Sequence, residues 1–180
     1  MHQLIDKKNR IAIYLILLLI FMGCTKTYDS QEPIEDIHNQ ISTDVEITLT
    51  EQGNMKALIK SQVLERDDGN SELKLKDNVK VDLYDDDYQH SSLITSHYAF
   101  INEKENKINA FGDVIVVADN GQQLFTDSLL WDNKLDKIFT DASLTFISGN
   151  LDTLYGTGFE SNIDLTNWKI TKPKGSINNE

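Results

Sequence analysis

VIVVADNGQQLFTDSLLWD, residues 114–132, decides the fold. Its first arm, Val114-Ile115-Val116-Val117, is β-branched throughout and fits a pleated, half-buried surface. Asn120-Gly121 then supplies two residues that tolerate φ > 0, which a tight hairpin requires. Leu124 to Asp132 returns as a second, longer arm. The unit is a strand, a turn and a strand.

The same pattern recurs on both sides. Val79-Lys80-Val81 leads through a turn to Leu93 and on to Phe100, and Leu144-Thr145-Phe146 leads through Gly149-Asn150 to Leu154 and on to Glu160. A weaker copy runs from Val45 through Gly53-Asn54 to Ser61. Alternation of period two is plain at Val45, Ile47 and Leu49, at Leu73 and Leu75, and at Val79, Val81 and Leu83. Turn residues punctuate the chain at Gln52-Gly53-Asn54, Asp67-Asp68-Gly69-Asn70 and Ser148-Gly149-Asn150, and proline is nearly absent. The expectation is an all-β protein of about four repeats of 30–35 residues, with strands of five to eight residues. One such unit cannot bury its apolar face alone, so neighbours must stack. Stacking leaves two ends with unpaired backbone groups that invite another strand. Val45 marks the first edge. Gly156, Trp168 and Ile170 mark the last, ahead of Pro173 and a polar tail over 174–180.

The N-terminus reads differently. Lys7, Lys8 and Arg10 precede an unbroken apolar run from Ile11 to Met22. A dozen residues make a helix of roughly 18 Å, short of the about 30 Å of a bilayer core. The run fits a signal-peptide core. It ends in Phe21-Met22-Gly23-Cys24, which resembles a bacterial lipoprotein cleavage box, where the thiol accepts the lipid. Cys24 is the only cysteine, so an internal disulfide is impossible. Residues 1–23 then form the signal peptide and 24–43 a polar tether with a root-mean-square reach of roughly 25 Å. The strand domain covers 44–173.

The chain of 180 residues carries 17 Lys and Arg against 29 Asp and Glu, a net charge of −12. Loss of the leader, with three cations and one anion, takes it to −14. Such acidity argues against nucleic acid, which needs basic patches. No metal-spaced His pair, nucleophile elbow, P-loop or dinucleotide fingerprint is present, and no cofactor is expected. Asp85-Asp86-Asp87 lacks the spacing of an EF-hand and reads as a solvated turn. Gly156 and Gly158 read as a bulge or close approach rather than an anion nest. Twenty-nine acids make some carboxylate pair inevitable, and nothing selects one. An enzyme is not expected.

Thr153-Leu154-Tyr155-Gly156-Thr157-Gly158-Phe159-Glu160-Ser161, taken with Gly112-Asp113-Val114 through Thr126-Asp127 and Leu130-Trp131-Asp132, resembles the LptC family of lipopolysaccharide export proteins. The likeness covers roughly 44–175. It implies an open V-shaped OstA-like β-jellyroll of two facing antiparallel sheets. It also implies a non-enzymatic role: lipopolysaccharide is received from the LptB-LptF-LptG transporter and passed to an LptA-like protein. The N-terminal edge would pair with LptF or LptG and the C-terminal edge with LptA. The acyl chains would lie between the sheets. By repeat phase the lining is Ile47, Leu49, Leu58, Val79, Val81, Leu83, Leu93, Val114, Val116, Leu124, Leu129, Trp131, Leu144 and Phe146. Family members commonly carry an N-terminal transmembrane helix. Here lipid on Cys24 would hold the chain at the periplasmic face of the inner membrane instead. The competing reading is a structural β-solenoid or adhesin-like lipoprotein with a closed core.

Overall fold

The computed structural model describes residues 39–67 and 72–175. These form nine strands: β1 (Asn39–Glu51), β2 (Asn54–Asp67), β3 (Glu72–Tyr84), β4 (His90–Asn102), β5 (Lys107–Ala118), β6 (Gln123–Asp132), β7 (Lys137–Ile147), β8 (Thr153–Asn162) and β9 (Trp168–Lys174). Each pairs antiparallel with the next in chain order, so the sheet is a single open meander from β1 to β9. One sheet therefore stands where two were expected. The strands are also longer than five to eight residues, and the reason is visible at their midpoints.

Six consecutive ladders break register near mid-strand, from Lys60/Val63 between β2 and β3 to Thr140/Ser143 between β7 and β8. The breaks line up across the sheet as a crease, and each long strand carries two short alternating runs on either side of it. On β3 and β5 the crease is made by positive φ, at Asp77 and Asn78 and at Gly112 and Asp113. On β2, β4, β6 and β7 a buried hydroxyl occupies it instead. Ser61 Oγ donates to the carbonyls of Lys76 (2.7 Å) and Val63 (3.0 Å), and Ser96 Oγ to that of Tyr98 (3.1 Å). Thr126 Oγ1 donates to the Ser143 carbonyl at 3.0 Å, and Thr140 Oγ1 accepts from the Ala142 N–H at 3.0 Å. A bulge frees backbone groups that must find partners when buried. These four side chains supply them.

The crease also resets the phase. On β6, Leu124 and Thr126 are buried before it and Leu129 and Trp131 after it, so strict alternation fails by one residue. β1 begins at Asn39, ahead of the alternation that starts at Asp44. Asp44 itself has φ 50, and the polar residues before it still pair with β2. Ladder bonds need no apolar side chain, so the sequence pattern missed them.

Turns follow their chemistry. Gln52 (φ 51) and Gly53 (φ 86) close the β1–β2 hairpin with both central residues left-handed, the geometry that matches strand twist. The Asp68–Asn70 turn expected between β2 and β3 lies outside the described residues.

Candidate functional site

One face of the sheet carries the core. A continuous inner row crosses eight strands: Ile47, Ile59, Val81, Ile94, Val116, Leu124, Phe146 and Leu154 are successive register partners. Beyond the crease a second row joins Leu73, Ile101, Ile108, Trp131 and Ile138. Of the fourteen residues expected to line the site, Ile47, Leu49, Val79, Val81, Leu83, Val114, Val116, Leu124, Leu129, Trp131, Leu144 and Phe146 belong to this inner face. Leu58 and Leu93 do not. They pair with Asp82 on the opposite, outer face. Each sits beside an apolar neighbour that is buried, Ile59 and Ile94, so the run offers no polar residue to set the phase. The inner residues missed by phase counting include Ile59, Ile94, Ile101, Ile108 and Phe159. Ile101 and Phe159 lie in the second run of their strands, beyond the crease.

The inner face is filled. Val81, Val116, Leu124 and Phe146 are 0–1 % exposed. Near β9 the Phe146 ring packs on Phe159 (centroids 5.3 Å) and Trp168 (4.8 Å). Trp131 is equally buried, and its Nε1 has no hydrogen-bond partner among the described residues.

Two hydrogen bonds join opposite ends of the strands. Asn133, in the β6–β7 turn, donates Nδ2 to Glu51 Oε2 at the end of β1 (3.2 Å). Asn120, in the β5–β6 turn, donates Nδ2 to the Asp164 carbonyl in the β8–β9 turn (2.6 Å). Asp136 stands in the field of Lys56, on β2, and of Asp86, in the β3–β4 turn. Lys56 is itself only 7 % exposed and bonds Asp86. That hydrogen bond raises the Lys56 pKa against the opposing effect of burial. Burial pushes the Asp136 carboxyl above its ordinary range, with the Asp86, Asp164 and Asp85 charges adding to the shift and Lys56 opposing it.

The expected edge residues divide. Val45 lies on β1 and Trp168 and Ile170 on β9, the two outermost strands. Gly156 is not an edge residue, because β8 pairs with β7 on one side and β9 on the other. It is where β9 comes close: a Cβ there would sit 2.3 Å from Ile170 Cγ2 and 3.0 Å from the Lys172 carbonyl oxygen. Gly158, at φ 78, similarly faces Thr171. The acidic triplet is committed to local structure. Asp85 accepts from the N–H groups of Asp87 and Gln89 (2.9 Å each), and Asp86 bonds Lys56.

The outer face carries ion pairs, with Lys76 on Glu65 and Lys137 on Glu160, beside apolar side chains such as Leu58, Leu93 and the packed rings of Tyr98, Phe100 and Phe111. Those hydrogen bonds hold the Glu65 and Glu160 carboxyls below their usual range. Cys24 and the tether over 24–38 lie outside the described residues. Among the described residues no helix is long and apolar enough to cross a membrane.

A family model described as "Lipopolysaccharide-assembly, LptC-related" matches residues 11–172. No curated protein sequence matches the chain.

Proposed function

The chain belongs to the LptC-related family of lipopolysaccharide-assembly proteins, and from that premise we propose that it conducts lipopolysaccharide through the periplasm on the inner face of its creased sheet. The family is a non-catalytic, cell-envelope component of lipopolysaccharide transport. In the proposed role the chain receives lipopolysaccharide from an LptB-LptF-LptG transporter and delivers it to an LptA-like protein. The crease folds the sheet over so that its two halves face each other, giving the two layers of a jellyroll. The contacts between opposite strand ends support this, since the ends of a flat sheet cannot touch.

The observation that carries the reading is the continuous apolar row from Ile47 to Leu154. It offers an uninterrupted dry path across the sheet. Burial of each acyl CH₂ contributes about 0.8 kcal/mol, so partial burial of a chain is enough to hold a lipid. The acidic exterior disfavours anionic headgroups, which stay solvated outside. β1 and β9 supply the edges for the transporter and for the LptA-like partner. Acylation of Cys24 anchors the chain at the periplasmic face of the inner membrane, replacing the helix usual in the family.

Photo-crosslinking side chains at Val81 and Val116 test the reading. Both should capture lipopolysaccharide during ATP-driven transport, in chains that fold and complement. Failure at both positions sinks it. The filled inner face favours a second reading, a structural lipoprotein with a permanently closed core. A fluorescent fatty-acid analogue separates the two, because a permanently closed core takes up none.

A further inference from the structure

The inner face is packed shut, so a lipid reaches it only if the sheet's facing halves part. What holds them together on the β1 side is polar. Asn133 is 7 % exposed and spends its amide on Glu51, leaving its Oδ1 without a partner among the described residues. Asp136 Oδ1 is likewise buried and unpaired among them. Lys56, almost wholly buried, finds its bond in Asp86, whose side chain is 86 % exposed. A buried polar network that is only partly satisfied is costly to keep closed. An apolar seam of the same area would close more firmly and open less readily. The contacts also lie at the turns, where strands end, and not within the ladder, so they can break without disturbing any strand pairing.

We propose that the bridge from Asn133, in the β6–β7 turn, to Glu51 is a latch, closing the inner face when it is empty and parting to admit an acyl chain. This rests on the lipid-conducting reading of the same face. Acyl burial offsets the loss of the latch bonds, and release of the lipid re-forms them. The latch lies between the β1–β2 hairpin and the β6–β7 turn, at the β1 end of the apolar row.

The full chain carrying Glu51→Cys and Asn133→Cys tests this, with a photo-crosslinking side chain at Val81 and purified lipopolysaccharide as the probe. A short bis-maleimide joins the two thiols across the seam. The unjoined chain, which has lost the Asn133–Glu51 bond, should capture lipid at least as fast as the parent, and the joined chain about tenfold less than the unjoined one, as expected when the competent state is held to a small population. Each single-cysteine variant, treated alike, should capture no less than the parent, which controls for Cys24. Thermal unfolding of the joined chain should be unchanged or raised, since a cross-link over 82 positions constrains the unfolded chain. Equal capture by joined and unjoined chains overturns the latch and leaves the lipid reading standing. No capture by the parent overturns the lipid reading, and the latch with it. Asn133→Ala gives an independent route, releasing the bond to Glu51 without a linker. Capture several-fold faster supports the latch, and slower or unchanged capture by the folded variant overturns it.

Discussion

The two outermost strands are held by different physics. β1 is thirteen residues long and lays Val45, Ile47 and Leu49 half-buried along the inner face, with Glu51 tied to Asn133 at its far end. β9 is seven residues long and exposed almost throughout. It is fixed at two points: the Trp168 ring against Phe146, and the close approach of Ile170 and Lys172 to Gly156. Burial spread along a strand resists local opening, whereas a strand pinned at two points detaches when either fails. The edges are therefore unequal. β1 is held along its length, and β9 is the edge that detaches more readily.

The largest effect should come from Phe146→Ala. The ring is 0 % exposed and touches both Phe159 and Trp168. Its loss should cost about 3–5 kcal/mol, a large share of a domain's stability. Native-state hydrogen exchange should show amides of Trp168–Lys174 losing protection before those of β1. Simultaneous loss at both edges would break the comparison.

Gly156→Val comes next. Its Cβ would meet Ile170 at 2.3 Å, so β9 must move away at a cost of roughly 1–3 kcal/mol. Gly53→Ala is the matched change beside β1. It meets nothing within 4 Å and suffers only from its φ of 86, a cost of about 1 kcal/mol. Urea midpoints should rank the two in that order, with exchange in β9 accelerated by the valine alone. A larger loss from Gly53→Ala would mean that the β1 hairpin, and not β9, is the fragile edge.

The inner face was legible wherever alternation had a polar witness, as at Val79-Lys80-Val81. It was illegible at Leu58 and Leu93, where two apolar neighbours compete for one phase. The crease hid a different way. Ser61, Ser96, Thr126 and Thr140 are unremarked polar residues in a linear reading, yet each precedes the point where register slips and satisfies the backbone there. A hydroxyl on the buried phase in mid-strand is the signal that would have joined two short strands into one long bent one. Gly156 was read both as an edge residue and as a close approach, and only the close approach holds. The strand that comes close there is β9. The latch had no signal at all, since Glu51 and Asn133 are 82 positions apart and neither is unusual for its turn.

The smallest effect sharpens the comparison at the seams. The seam beside β1 contains Asp136, whose carboxyl is raised from its ordinary value of 3.8 chiefly by burial, with Lys56 opposing and Asp86, Asp164 and Asp85 adding. The seam towards β9 joins Asn120 to a backbone carbonyl, which does not titrate. A carboxyl with a raised folded pKa binds more protons folded than unfolded, so its contribution falls as pH rises. The fall begins near 3.8, the unfolded value, and is complete above the raised folded one. Asp136→Asn removes that dependence. Its unfolding midpoint should match the parent's at the acid end of this window and exceed it at neutral pH, by no more than about 1 kcal/mol given partial solvent screening. The gain should appear as slower exchange in the Glu51–Lys56 hairpin, with β9 unchanged. A gain at β9 instead would mean that the two seams open as one, and that the edges are coupled through the crease.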